Sequence, residues 1–129
     1  MDSPVPDAVE RRLTAAPRAA YLATSHDDRP HVAPLWYRYE AGTIELTTTG
    51  RKLENLRENP RVALAVQAAE AGIPQWTVTV RGTASVVEDA AEEARIRRAI
   101  NEKYGVDPEE YAENVAVRVD VGSTSYTEY

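Results

Sequence analysis

The chain has 129 residues, 43% of them hydrophobic, and a formal net charge of -6. That length suits one folded domain, 1–129, and that apolar fraction excludes a disordered chain. The acid excess argues against nucleic acid and against an anionic membrane surface as partners.

No run approaches the roughly 18 apolar residues of a membrane span, and the acidic start MDSPVPDAVERRL has no apolar segment of the kind a signal peptide needs. With 0 cysteines there are no disulfides, no thiol nucleophile and no cysteine-held metal. These absences point to the cytoplasm. Of the 15 cations only Lys52 and Lys103 are lysine. Low lysine with excess acid suggests a salt-adapted or GC-rich source.

In chain order, SPVPDAVERRLTAAP places a short first helix within 1–16, with Val5, Val9 and Leu13 four apart and Pro17 ending it. AAYLATS (19–25) reads as a strand and HDDRP as a turn. HVAPLWYRY (31–39) is a second strand, EAG a tight connection, and TIELTT (43–48) a third. Links this short require antiparallel neighbours. TTTGRKLENLRENP then carries the chain from strand to helix, with Pro60 as its stop.

RVALAVQ (61–67) is apolar on both faces and should be a central strand. AAEAGIP reads as a loop. QWTVTVRGTASVV (75–87) alternates, with Trp76, Val78 and Val80 on one face and Gly82 marking a bend or bulge. DAAEEARIRRAINEKYG (89–105) is the clearest helix, with Ile96, Ile100 and Tyr104 on one stripe. DPEEYAEN reads as a helical turn, VAVRVDV (115–121) as a last strand, and 123–129 as a tail. The expected fold is mainly β: a small six-stranded antiparallel split β-barrel with two or three peripheral helices.

Two stretches carry candidate chemistry. In TTTGRK a strand end, a glycine and a helix start expose backbone N–H groups and the positive end of a helix dipole. Thr47, Thr48 and Thr49 can donate hydroxyls, Arg51 can grip a phosphate in two places, and Lys52 adds a point charge. The alternative is a strand of good β-formers followed by a solvated cationic face. In HVAPLWY, Pro34 cannot donate to a strand ladder and so marks an edge or an interruption. Backbone groups of Ala33, Pro34 and Leu35 could then meet a planar, polar-edged ligand, with Trp36 and Tyr37 as flat apolar area. The alternative is an edge strand whose aromatics belong to the core. His26 and His31 flank a turn and lack a third ligand, so no metal is expected. No serine sits in a nucleophile elbow, and no side chain stands out as catalytic acid or base.

The order of these segments resembles the pyridoxamine 5'-phosphate oxidase-like, FMN-binding split β-barrel family. The carrying features are the LAT strand, RPH-V-P-WY, L-TTT, and Lys52-Leu53-Glu54-Asn55-Leu56-Arg57-Glu58-Asn59-Pro60 before an apolar strand. The resemblance covers roughly 10 to 122. It implies a homodimer with the flavin at the interface. The FMN phosphate would be held by Thr47, Thr48, Arg51 and Lys52, with Asn55 nearby. Val32, Ala33, Pro34 and Leu35 would lie along the isoalloxazine, and the partner's Gln75 and Trp76 would cover its other side. It further implies an oxidoreductase passing hydride between flavin and a small-molecule substrate. A deazaflavin coenzyme in place of FMN, or a non-catalytic flavin or haem carrier or redox sensor, is the alternative. Pyridoxamine phosphate oxidases proper carry a C-terminal segment with arginine and histidine for the substrate phosphate. VGSTSYTEY holds neither, so vitamin B6 oxidation is not the expected reaction.

Overall fold

The computed structural model describes residues 5–129. Residues 1–4 of the expected first helix lie outside the described residues. The elements are α1 (Asp7–Thr14), β1 (Ala20–His26), β2 (Arg29–Leu35), β3 (Tyr37–Glu40), β4 (Thr43–Thr48), α2 (Gly50–Glu58), β5 (Arg61–Glu70), β6 (Ile73–Val86), α3 (Ala90–Lys103) and β7 (Val115–Glu128). The fold is mainly antiparallel β with three helices, as the split-barrel expectation required. The sheet has seven strands where the sequence suggested six, and it is not closed.

Sheet order explains the curl. The strands run β2-β1-β5-β6-β7-β4-β3, every pairing antiparallel. The two edge strands, β2 and β3, are consecutive in sequence and separated only by Trp36. Two Cα steps span at most about 7.6 Å, so the sheet must bend until its opposite edges meet at that residue. The expected strand 31–39 is therefore two strands, broken at Trp36. Pro34 itself stays in register opposite Tyr21; on an edge strand its missing N–H costs no ladder bond.

Three two-residue hairpins tighten the meander. Asp27–Asp28, Ala41–Gly42 and Ala71–Gly72 all have positive φ, the twist that two-residue connections between right-twisted strands favour. The third corrects an expectation, because AAEAGIP is not a loop: β5 runs to Glu70 and β6 starts at Ile73. The segment 123–129 is likewise no tail, since β7 continues to Glu128 beside β6. The register shifts between Arg81 and Gly82, the bulge that Gly82 suggested. A Cβ at Gly82 would lie 2.3 Å from the Asp120 carbonyl oxygen, so the close approach of β7 excludes any side chain there. DPEEYAEN forms hydrogen-bonded turns, not a helix.

The inward face is mainly apolar, with Thr24 and Thr48 the buried polar residues of β1 and β4 on it. Leu22, Leu35, Tyr37, Ile44, Leu46, Leu64, Val66, Val78, Val80, Val117 and Val119 are all buried in one cluster. Helix α1 covers part of it with Val9 and Leu13; the Tyr37 hydroxyl donates to the Leu13 carbonyl, and the Tyr39 hydroxyl to Glu10. On the outside of β3, β4 and β7, α3 buries Ile96 and Ile100 against Val87 and Ala116. Asp89 caps α3 by accepting from the Glu92 N–H at 3.1 Å. Beneath α3, the buried carboxylate of Glu45 pairs with Arg38 at 2.7 Å, Arg95 at 3.1 Å and Arg118 at 3.7 Å. Arg38 and Arg118 sit directly opposite Glu45 on its two neighbouring strands.

Among the described residues, the helices bury Val9, Leu13 and Leu56 in the inner cluster and Ile96 and Ile100 against Val87 and Ala116, and none packs on the outer face of β2, β1, β5 and β6. Register puts Val32 and Pro34, Tyr21 and Ala23, Ala63 and Ala65, and Thr79 and Arg81 side by side there. Val32 is 64% and Tyr21 50% exposed.

Candidate functional site

The first turn of α2 stands at the junction of two clefts. Thr49 precedes the helix in extended conformation, no side chain caps it, and its first turn holds no acid. Gly50, with φ 67°, turns the chain from β4 into the helix. Free N–H groups and the positive dipole end therefore meet solvent beside the end of β4.

The first cleft has a volume of ≈ 210 Å³. It is lined by Thr47, Thr48, Thr49 and Lys52 where β4 meets α2, by Pro34, Leu35 and Trp36 where β2 meets β3, and by Asn101, Tyr111 and Asn114. Thr48 is 2% exposed, and its hydroxyl is buried with no hydrogen-bond partner. An orphaned buried hydroxyl costs about 1–3 kcal/mol, so its place on a cleft wall marks a position for a ligand acceptor. Lys52, half-buried beside it, has no carboxylate partner among the described residues. Glu45, by contrast, gathers three arginines one strand-width away.

The second cleft, of ≈ 160 Å³, lies on the other side of α2 and holds Arg51, Asn55, His26, Arg29 and His31. Adjacent helical residues point about 100° apart, which sends Arg51 into this cleft and Lys52 into the first. Arg51 also lacks a carboxylate partner among the described residues, and the buried Nδ1 of His31 has no partner. Asn55 is buried and donates to the Thr24 hydroxyl at 3.1 Å, tying α2 to β1.

Gln75 and Trp76, expected to act from a partner chain, lie outside both clefts of their own chain. Val32 and Pro34 lie on the outer sheet face, Pro34 also lining the first cleft, while Ala33 is half-buried. Gln75 lies in a separate hollow beside Tyr21 and Gln67. Trp76 is in the core, with the Arg18 guanidinium 5.2 Å from its ring centroid.

The aromatic lining of the first cleft is built by the break at Trp36. Its ring stacks on Tyr104 at 4.7 Å and meets Tyr111 edge-on at 5.7 Å. The Tyr37 carbonyl next to the break accepts from Lys103 Nζ at 2.8 Å, and the Tyr37 N–H donates to the Tyr104 hydroxyl at 3.3 Å. Burial brings the Lys103 amine down to about 8 and raises the Tyr104 hydroxyl. Lys103 thus stands beside the break at Trp36, while Lys52 lines the cleft itself. Asn101, Tyr111 and Asn114 were not legible as site residues. The only available signal was Asn101 itself, a poor helix former beside the apolar stripe of a strong helix.

A family model described as pyridoxamine 5'-phosphate oxidase matches residues 6–127. Among solved structures, an FAD-binding protein from Mesorhizobium loti is 25% identical with a TM-score of 0.76, over 95% of this chain and 94% of that one. An F420 reductase is 26% identical with a TM-score of 0.76, over 94% of this chain and 98% of its own. A conserved hypothetical protein from Mycobacterium tuberculosis is 25% identical with a TM-score of 0.79, over 98% and 87%. Among curated proteins nothing matches.

Proposed function

The chain belongs to the pyridoxamine 5'-phosphate oxidase family, and on that premise we propose that it binds FMN and passes hydride between the flavin and a small organic substrate. The observation that carries this reading is the unpartnered, buried Thr48 hydroxyl beside Lys52, which has no carboxylate partner among the described residues, at an uncapped helix start. A phosphate monoester of nearly two negative charges at neutral pH needs such hydroxyl donors, a cation and free N–H groups. Arg51 and His31 offer a second set of donors from across α2. The flavin would supply the redox chemistry; these residues would hold it and set its electrostatics.

A second reading is favoured by the likeness to an F420 reductase: the same phosphate end would take a deazaflavin. Fluorescence titration of the purified chain with FMN and with the deazaflavin separates the two. Tighter FMN binding, with a two-band yellow flavin spectrum, is expected. Reduction by a nicotinamide cofactor and reoxidation by an electron acceptor are expected as turnover. Binding without either step would make the protein a carrier or sensor, and failure to bind both coenzymes would end the reading.

We also propose that two copies meet through the bare outer face and enclose the flavin. Exposed Val32 and Tyr21 with flanking alanines form an apolar patch on the strands that border the clefts, and such patches mark protein interfaces. Light scattering should give twice the chain mass. Val32→Glu should return the mass of one chain and weaken FMN binding at least tenfold; an unaltered dimer would remove this face from the interface.

A further inference from the structure

A hollow of ≈ 640 Å³ opens on the outer sheet face, lined from β2, β1, β5, β6 and β7, and it shares no residue with the first cleft. Its charged lining residues are Arg61 and Arg81, and no carboxylate lines it. Arg61 stands opposite Thr83, and Arg81 opposite Ala63. The two arginines are therefore diagonal neighbours on one face of adjacent strands, with Cβ atoms about 7–8 Å apart. Neither guanidinium has an ion-pair partner among the described residues. Arg38 and Arg118, on β3 and β7, both reach the Glu45 carboxylate. Asp120, opposite Thr83 on β7, belongs to the same face as Arg61 and Arg81 but pairs with neither and does not line the hollow. The space beside the arginines is open because Ala63, Gly82 and Gly122 are small. Gly122 is the extra residue of the bulge and stands opposite no residue of β6, so its backbone is turned out of the pairing at the wall of the hollow. Thr83 and Ser123 add hydroxyls next to the two arginines.

We propose that this hollow is a second anion site, separate from the flavin phosphate, and that it holds a small molecule bearing a phosphate or several carboxylates between Arg61 and Arg81. Two cations this close repel each other in the free protein, weakly because they are exposed and screened by salt. An oxyanion between them reverses the sign, since each guanidinium can then make forked, charge-assisted bonds to it. The volume falls within the roughly 300–1,000 Å³ of small-molecule sites, so the anion can carry a body larger than the charged group itself. Ala63 also flanks the Val32 and Tyr21 patch, so two copies meeting there would set the anion at the margin of their contact.

Pyrophosphate and citrate, with acetate as the single-charge control, are titrated by calorimetry into the FMN-saturated protein at 0.15 M NaCl. At least one of the first two is expected to bind once per chain and at least tenfold more tightly than acetate, and the tighter of the pair names the class. Arg61→Gln and Arg81→Gln are each expected to weaken that binding roughly tenfold or more, the loss of a charge-assisted bond. Their urea midpoints without added multivalent anion should be unchanged or higher, because no ion pair is lost. The same titrations on flavin-free Lys52→Ala protein should give the same affinity, whether or not the chain takes FMN. Binding no tighter than acetate would overturn the proposal. So would binding that survives both arginine replacements, or binding that Lys52→Ala abolishes, which would put the anion at the start of α2.

Discussion

Glu45→Ala is expected to lower the free energy of unfolding by about 2–4 kcal/mol, measured by urea denaturation. Glu45 is 4% exposed and takes charge-assisted bonds from Arg38 and Arg95, with Arg118 close by. Each such bond contributes about 1.5–3 kcal/mol. The sum is discounted because the arginines are a third to a half exposed and can return to water. The carboxylate also links three elements: β3 through Arg38, α3 through Arg95 and β7 through Arg118. Its loss should therefore loosen α3 first, seen as faster amide exchange there than in β5. Single replacements of these arginines by Gln should each cost less, since the remaining two still neutralise the carboxylate. A Glu45→Ala protein of wild-type stability would show that the arginines merely decorate the surface.

The architecture was legible because alternation is strong where one strand face is buried. Trp76, Val78 and Val80 gave the inner face of β6, and Val117, Val119 and Val121 that of β7. Legibility failed where polar residues formed strands. Ser123 to Glu128 carry Tyr126 as their one apolar residue, yet their backbone completes the ladder with β6. The hairpin at Ala71–Gly72 used the same AG pair as Ala41–Gly42, but Pro74 and a run of alanines masked the strands around it. The break at Trp36 could not be read locally at all. It follows from sheet order, which brings β2 and β3 to opposite edges. The phosphate motif was legible as composition and spacing. That Arg51 and Lys52 serve different clefts, and that Asn101 and Tyr111 reach the first of them, depends on helix phase and on α3 and the turns that follow it.

Thr48 and Lys52 should separate binding from stability. Lys52→Ala is expected to weaken FMN binding roughly 10- to 100-fold, the loss of about 1.5–3 kcal/mol of charge-assisted bonding. Unfolding in the absence of ligand should hardly change, because Lys52 has no ion-pair partner among the described residues to lose. Thr48→Val keeps the shape and deletes the hydroxyl. In most sites that exchange removes a hydrogen bond; here the hydroxyl has none. The flavin-free protein should therefore gain up to about 1 kcal/mol of stability while FMN affinity falls roughly 10-fold or more. The opposite signs are the signature of a polar group kept for a ligand and not for the fold. If Thr48→Val destabilises the flavin-free chain, its hydroxyl has a structural partner and the phosphate end loses its main support. If both variants bind FMN like the wild type, the anion is held elsewhere, and the Arg51 and His31 cleft becomes the place to look.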